Sequence, residues 1–173
     1  RSIIATTTEI YDYLRLLYAH IGRPHCPDKG EPMIQQTSTQ IIDRLLKLPK
    51  GTRLMLLAPV VRHQKGEFRD VIEKLARDGF VRARVDGELV ELEVSTRIKI
   101  DPKKKHHIEA VVDRLVISDG VRQRLADSVE TALKWGAGCL LALQQSGKTK
   151  KRNVWKETLH STQMVSSATG KSY

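Results

Sequence analysis

The stretch VRARVDGELVEL, residues 81–92, alternates apolar and charged side chains on either side of Asp86-Gly87. Asp-Gly suits a two-residue hairpin because both turn positions need a positive φ, and period-two alternation marks strands with one buried face. The stretch therefore folds back on itself. Val81, Ala83 and Val85 share a face with Val90 and Leu92, Arg82 and Arg84 point to the opposite face, and Arg82 lies across from Glu91.

Just upstream, RLMLLAPVV (53–61) is an apolar run of strand length without alternation, which predicts a core strand buried on both faces. In RHQKGEFRDVIEKLARDG (62–79), Phe68, Val71, Ile72 and Leu75 form one helical stripe, closed by Gly79. Downstream, TRIKIDPKKKHHIEAVVDRLVI (96–117) predicts a short strand, a basic turn and a longer strand. DGVRQRLADSVETALKWG (119–136) is a helix with Val121, Leu125, Val129 and Leu133 inward, and CLLAL (139–143) is another buried strand. This β-α-β-β-β-α-β order describes an α+β fold, a mostly antiparallel sheet with its helices packed on one face, as one domain from about residue 50 to 145. After it, QQSGKTKKRN (144–153) reads as a polar hairpin-like turn and VWKETLHSTQMV (154–165) as a strand leading out.

Two helices precede the sheet. TTTEIYDYLRLLYAHIG (6–22) opens with a capping box, Thr6 with Glu9, and places Ile10, Leu14, Leu17 and Ile21 on one face before Gly22 and Pro24 end it. A Pro-containing loop, RPHCPDKGEP, separates it from STQIIDRLLKL (38–48), which Pro49 stops.

At 173 residues the chain holds one good-sized domain, or a domain with flanking pieces of another. Its longest apolar run is too short to span a bilayer, and charge interrupts the opening residues as it would not in a signal peptide. Thirty Lys and Arg against twenty Asp and Glu give a formal charge of +10, which calls for an anionic partner, either nucleic acid or an acidic protein surface. The two cysteines, Cys26 and Cys139, lie in different settings, so a disulfide framework is not expected and a reducing cytoplasm fits. The chain opens on Arg1 rather than Met and stops at Tyr173 without a helix stop, and it reads as an excised piece of a longer protein.

Gly-Lys-Thr (147–149) and Gly-Lys-Ser (170–172) resemble the end of a phosphate loop, which needs another glycine five positions earlier. Those positions hold Ala142 and Val165, and neither tripeptide opens an amphipathic helix. His106-His107 lies beside Lys103, Lys104 and Lys105, without further metal ligands at suitable spacing. A solvated basic turn is expected there, with phosphate contact as the alternative. Cys26-Pro27 opens like a zinc knuckle, yet Lys29 stands where the second thiolate belongs. Glu67, Asp86, Glu88 and Asp113 are assigned to helix starts or turns, where capping or pairing explains an acid, and no catalytic residue is named.

Taken together, RSIIATTTEIYDYLRLLYAHIGRPHCP, RLMLLAPVVRHQKGEF, GFVRARVDGE, KKKHHIEAVVDRLVI and RLADSVETALKWG closely resemble the UvrA family, the damage-recognising ATPases of bacterial nucleotide excision repair, over essentially the whole chain. The resemblance implies a place in the first ATP-binding half, between its phosphate loop and its ABC signature. Residues 1–34 would belong to the signature subdomain, 35–150 would be the inserted UvrB-binding domain, and 151–173 would hold a return strand and the start of a zinc module. ATP and Mg would bind outside this segment, in a parent expected to be a homodimer that reaches damaged DNA within an excinuclease complex. Family members read like SxxxACPxCGxSx after the UvrB-binding domain; here STQMVSSATGKSY has Ser166 and Thr169 at the cysteine positions. Hydroxyls do not replace thiolates as structural zinc ligands, so no zinc is expected at this module, and its second cysteine pair is expected to be missing too.

The segment's own role on this reading is docking UvrB, through a basic sheet face turned away from the helices. Its candidates are Arg62, Lys65, Arg82, Arg84 and Arg114, with Asp127 as an acidic contact. The rival is direct nucleic-acid binding through Lys103, Lys104 and Lys105 and the arginine face of the hairpin. An aromatic content of 5% speaks against stacking on single strands, and the missing glycines speak against a free-standing ATPase. Calorimetric titration of this chain with Mg-ATP is expected to be flat; a saturable heat abolished by Lys148→Ala or Lys171→Ala would overturn the phosphate-loop argument.

Overall fold

The computed structural model describes residues 9–26, 30, 33–92, 98, 100–149 and 152–166. The chain divides into two compact units, one made of residues 1–34 with 165–173 and the other running from Gln35 to Met164.

In the first unit, helix α1 (Ile10–Ile21) and the two-residue strands β1 (Met33–Ile34) and β8 (Val165–Ser166) are the regular elements, β1 and β8 pairing antiparallel. None of the α1 side chains is buried: Ile10, Leu14, Leu17 and Ile21 are all exposed. Thr6 of the expected capping box lies outside the described residues. Cys26 is buried and, like Cys139, is not in a disulfide.

The second unit is a six-stranded antiparallel sheet in the order β4-β3-β5-β2-β6-β7. Its strands are β2 (Arg53–Lys65), β3 (Arg82–Val85), β4 (Glu88–Glu91), β5 (Lys105–Val116), β6 (Cys139–Thr149) and β7 (Arg152–Ser161). Its helices are α2 (Ser38–Leu46), α3 (Arg69–Arg77) and α4 (Arg122–Trp135). The fold is α+β as expected. The hairpin forms where Asp86-Gly87 places it, with φ of 50° and 92° and the register Arg82↔Glu91 and Ala83↔Val90. Of the short strand expected to open residues 96–117, residues 96, 97 and 99 lie outside the described ones, and Ile98 and Ile100 are not in a strand. Instead of leading out, β7 returns along β6 from Thr149↔Arg152 to Cys139↔Ser161 and forms the sixth strand.

Helix α2 starts at a capping box of its own, in which the Thr37 hydroxyl accepts from the Gln40 N–H and the Gln40 side chain accepts from the Thr37 N–H. Ile41, Ile42 and Leu45 of α2, Ile72 and Leu75 of α3, and Leu125, Val129 and Ala132 of α4 pack with Leu54, Leu56 and Ala58 of β2 in one core. The alternate residues of β2, Met55 and Leu57, are as deeply buried on the other face, against Leu143, Val111, Leu141 and Trp155. This is the two-sided burial that the unbroken apolar run predicts. Pro59 fits a central strand because the ladder between β2 and β6 runs only from Leu54 to Leu57, so the N–H that proline lacks is not required there.

His160 on β7 is 2% exposed; its Nδ1 meets the Gln36 side-chain oxygen at 3.1 Å and its Nε2 the Thr158 hydroxyl at 3.3 Å. Burial, aided by the positive charge of Arg44, lowers its pKa from 6.5 to about 4. Above pH 6.5 both folded and unfolded states hold the ring neutral and nothing is lost. Below it the unfolded chain takes up the proton first, so stability falls until about pH 4, by roughly 3 kcal/mol in total. Urea midpoints measured between pH 7 and pH 4 should therefore drop, and His160→Gln should remove most of that slope. An unchanged slope in the variant would assign the acid sensitivity elsewhere.

Candidate protein-docking cleft

Strand β3 covers the outer edge of β5 only from Ala83↔Ala110 to Val85↔Ile108, while β5 runs on beside β2 to Val116↔Arg53. Beyond Val111 one edge of β5 therefore has no partner strand among the described residues. There the approach to β3 (Asp78–Arg82), β5 (Val111–Arg114) and two residues of α4 enclose an open cleft of about 430 Å³. Trp135 forms its apolar wall, held edge-on by Phe80 with ring centroids 5.1 Å apart and covered by the Lys74 ammonium 5.6 Å from the ring. Val81, expected on the inner face, is 67% exposed at the rim, because the ladder to β5 begins two residues later.

Two of the sequence candidates meet in this cleft. Arg82 is half-exposed and holds Glu91 at 3.1 Å; Arg114 is exposed, and its guanidinium has no hydrogen bond or ion pair among the described residues. Asp127, exposed on α4, accepts from Gln123 at 3.0 Å and sits one turn before Thr131, which lines the cleft. Asp113 is the site residue that sequence reasoning misplaced, since it lies within β5 and not at a turn. Its carboxylate takes both Nε (2.9 Å) and Nη2 (2.7 Å) of Arg124, the Ser128 hydroxyl (2.8 Å) and the Arg114 N–H (2.7 Å). The Arg124 hydrogen bond, reinforced by Ser128 and the backbone, outweighs burial and holds the Asp113 pKa below the ordinary carboxylate value. A charged residue in a strand pattern gave no cue to this role; Arg124 and Ser128, spaced one helical turn apart, were the available signal.

Other candidates lie elsewhere. Arg62 is half-buried and donates to the Gly136 carbonyl at 2.7 Å, at the end of α4. Lys65 is exposed opposite Lys105 at the far end of the sheet, near Lys103 and Lys104. The basic turn is not solvated throughout: His106 is 6% exposed, with Nδ1 2.6 Å from Asp86 and Nε2 2.7 Å from the Asp101 carbonyl. The Asp86 hydrogen bond raises the His106 pKa. For Asp86, burial favours the neutral acid, but the bonds from His106 and from the His107 N–H prevail and the pKa is lowered. Histidines flanked by three lysines look like surface residues until the hairpin turn is folded over them.

Arg84 points away from the helices as expected, but its charge is enclosed. Its side chain is 13% exposed and forms a double hydrogen bond with Glu109, at 2.9 and 3.1 Å, and a third with Glu157 at 2.8 Å. Burial works against its charge, yet the two carboxylates overcome this and hold the guanidinium more firmly protonated than usual. Glu109 lies on β5 beside β3, whereas Glu157 lies on β7, with β5, β2 and β6 in between. In a flat sheet that span is about 19 Å, four strand spacings. The sheet must therefore curl around the face opposite α2, α3 and α4, and register shifts at Leu56/Leu57, Pro59/Val61 and Val61/Gln64 on β2 supply the bends. Met55, Leu57 and Leu143 are buried inside the curl.

Residues 36–146 match the model of the UvrA interaction domain. The chain belongs to the UvrA family. It is 51% identical over 141 residues to UvrABC system protein A of Clostridium tetani, 82% of this chain and 15% of that protein. It is 51% identical over 138 residues to the Bacillus subtilis protein of the same name (80% and 14%), and 52% identical over 141 residues to the Pseudomonas aeruginosa one (82% and 15%). The chain thus spans about 15% of the length of these relatives. The matched UvrA residues carry the cleft, the clasp residues Arg84 and Glu109, and the basic turn; Glu157 and the rest of β7 lie past the match. Among the described residues no group of three or more His, Cys, Asp or Glu could hold a metal. No helix among the described residues is long and apolar enough to cross a membrane.

Arg84→Met strands Glu109 in the interior and is expected to cost about 3–5 kcal/mol in chemical denaturation, whereas Arg82→Met, losing an exposed pair, should cost at most about 1 kcal/mol. Equal costs for the two would reject the enclosed clasp.

Proposed function

We propose that the unit from Gln35 to Met164 is a protein-docking module that binds UvrB, the loading partner of a UvrA-type protein in nucleotide excision repair. The observation that carries this reading is the coincidence of the matched interaction domain, residues 36–146, with the unit bearing the cleft at the open edge of β5. The cleft suits docking and not chemistry. An aromatic wall, an exposed valine and two arginines give an apolar centre with a charged rim, the usual anatomy of an interface. Arg114 needs no internal pair broken to meet a carboxylate, and Arg82 gives up only an exposed one. ATP and Mg, damaged DNA, a homodimeric assembly and a cytoplasmic setting belong, on this reading, to the parent protein.

The nucleic-acid reading draws on one observation, the grouping of Lys65, Lys103, Lys104 and Lys105 at the other end of the sheet. The two readings use different ends of the domain and can be separated. Arg82→Glu with Arg114→Glu should weaken UvrB binding at least about tenfold, roughly 1.4 kcal/mol, with an unchanged circular dichroism spectrum. Lys103→Glu with Lys104→Glu should leave it within about twofold. Lost duplex-DNA affinity in the second variant, with UvrB affinity unchanged in the first, would favour the nucleic-acid reading.

A further inference from the structure

A second concavity lies on the helix-bearing side of the sheet, where the end of α2 meets β6 and β7. It measures about 230 Å³, with Leu45, Leu48, Leu54 and Ala142 as its apolar surface and Gln144, Thr158 and the buried His160 as its polar one. Three cations surround it: Arg44 from the last turn of α2, Lys47 at its C-cap, and Lys156 from β7. All three are exposed, and none of their side chains has a hydrogen bond or ion pair among the described residues. Among the described residues no carboxylate lines the pocket. Asp43, the one acid on α2, is taken by Arg122 at 3.0 Å, and Glu157, next to Lys156, faces the opposite side of the sheet and is held by Arg84.

The helix alone does not account for this charge. Basic residues at the C-terminal end of a helix complement its dipole, which covers Arg44 and Lys47. Lys156 comes from a strand on the opposite wall, and at the pocket floor burial, with the Arg44 charge adding to it, keeps His160 neutral. Size and lining then select the ligand. Pockets for nucleotides and drug-sized molecules begin at about 300 Å³, so this one takes a single side chain. Its four aliphatic contacts offer nothing to a bare phosphate, and its three cations are not matched by an apolar residue alone.

We propose that the pocket bounded by Arg44, Lys47, Lys156 and Leu48 is a second protein-binding site, which takes one aliphatic side chain of an acidic peptide segment and pairs its flanking carboxylates with the three cations. It is separate from the Arg82–Arg114 cleft and does not depend on the identity of the partner there. The test uses the whole chain and a fluorescein-labelled peptide, Glu-Asp-Leu-Glu-Glu, followed by anisotropy at low ionic strength. Binding is expected to weaken at least about fivefold when the peptide leucine becomes serine, and at least about tenfold in Arg44→Glu with Lys156→Glu. It should stay unchanged in Arg82→Glu with Arg114→Glu. Both sites substituted are exposed, and circular dichroism checks the fold. Equal binding of the leucine and serine peptides would reduce the site to non-specific charge. Undiminished peptide binding in the Arg44/Lys156 variant, or loss there of oligothymidylate binding while the peptide never binds, would overturn the proposal.

Discussion

The curl of the sheet hangs on the guanidinium of Arg84. Three hydrogen bonds to two carboxylates join β3 to its neighbour β5 and, across the concave face, to β7. Only arginine has the planar fork to meet Glu109 with two bonds and still present a further N–H to Glu157; lysine would give a point charge without that geometry. A buried ion pair is a weak source of net stability because desolvation opposes it. Its contribution here is geometric: it selects the curled sheet over a flat one, and the curl takes Met55, Leu57 and Leu143 out of water on the face opposite α2, α3 and α4.

The hairpin is thereby fixed at two points. At its tip Asp86 receives the His107 N–H at 2.9 Å and holds His106 at 2.6 Å; at mid-strand Arg84 holds Glu109. The beginning of β3, where Val81 and Arg82 border the cleft, is held to the β4 side instead, by the Leu92 N–H on the Val81 carbonyl at 2.8 Å and by Glu91 on Arg82. On the docking proposal, a frame fixed in this way would hold the cleft groups preorganised, which lowers the entropy lost on binding. The two buried histidines pull stability in opposite directions with pH. The charged His106 pair contributes fully below pH 6.5 and is lost as pH rises through the raised pKa, while neutral His160 contributes above pH 6.5 and is lost toward pH 4.

Much of the fold could be read from local patterns. Alternation in residues 81–92 fixed the hairpin and its register, and the unbroken run in 53–61 revealed a strand with two buried faces. Parity also put Arg82 and Arg84 on the correct side of the sheet. It could not distinguish their fates, because Glu157 lies 73 residues from Arg84 and becomes its partner only when the sheet bends. The same limit hid Asp113 and His106, whose partners come from α4 and from the hairpin turn. Strand β7 was misjudged for a simpler reason: a run following SGKTKKRN carries no local sign of whether it departs or turns back onto β6.

An open strand edge beside an apolar cleft carries a hazard, since unpaired backbone groups template pairing with other chains. Here Val81 and Val116, both exposed, mark the two ends of that margin. Between them the backbone of Arg114 is already engaged by side chains, its N–H by the Asp113 carboxylate at 2.7 Å and its carbonyl, more weakly, by Arg124 at 3.5 Å. Arg124 in turn is locked by the other bonds of Asp113, and Ser128 braces the same carboxylate from α4. A partner reaching this margin would have to displace a charged, doubly hydrogen-bonded pair before adding a strand. On the docking proposal the favourable route into the cleft is instead through side chains, an apolar group against Trp135 and Val81 and carboxylates toward Arg82 and Arg114, a route that would discriminate by sequence where strand addition would not.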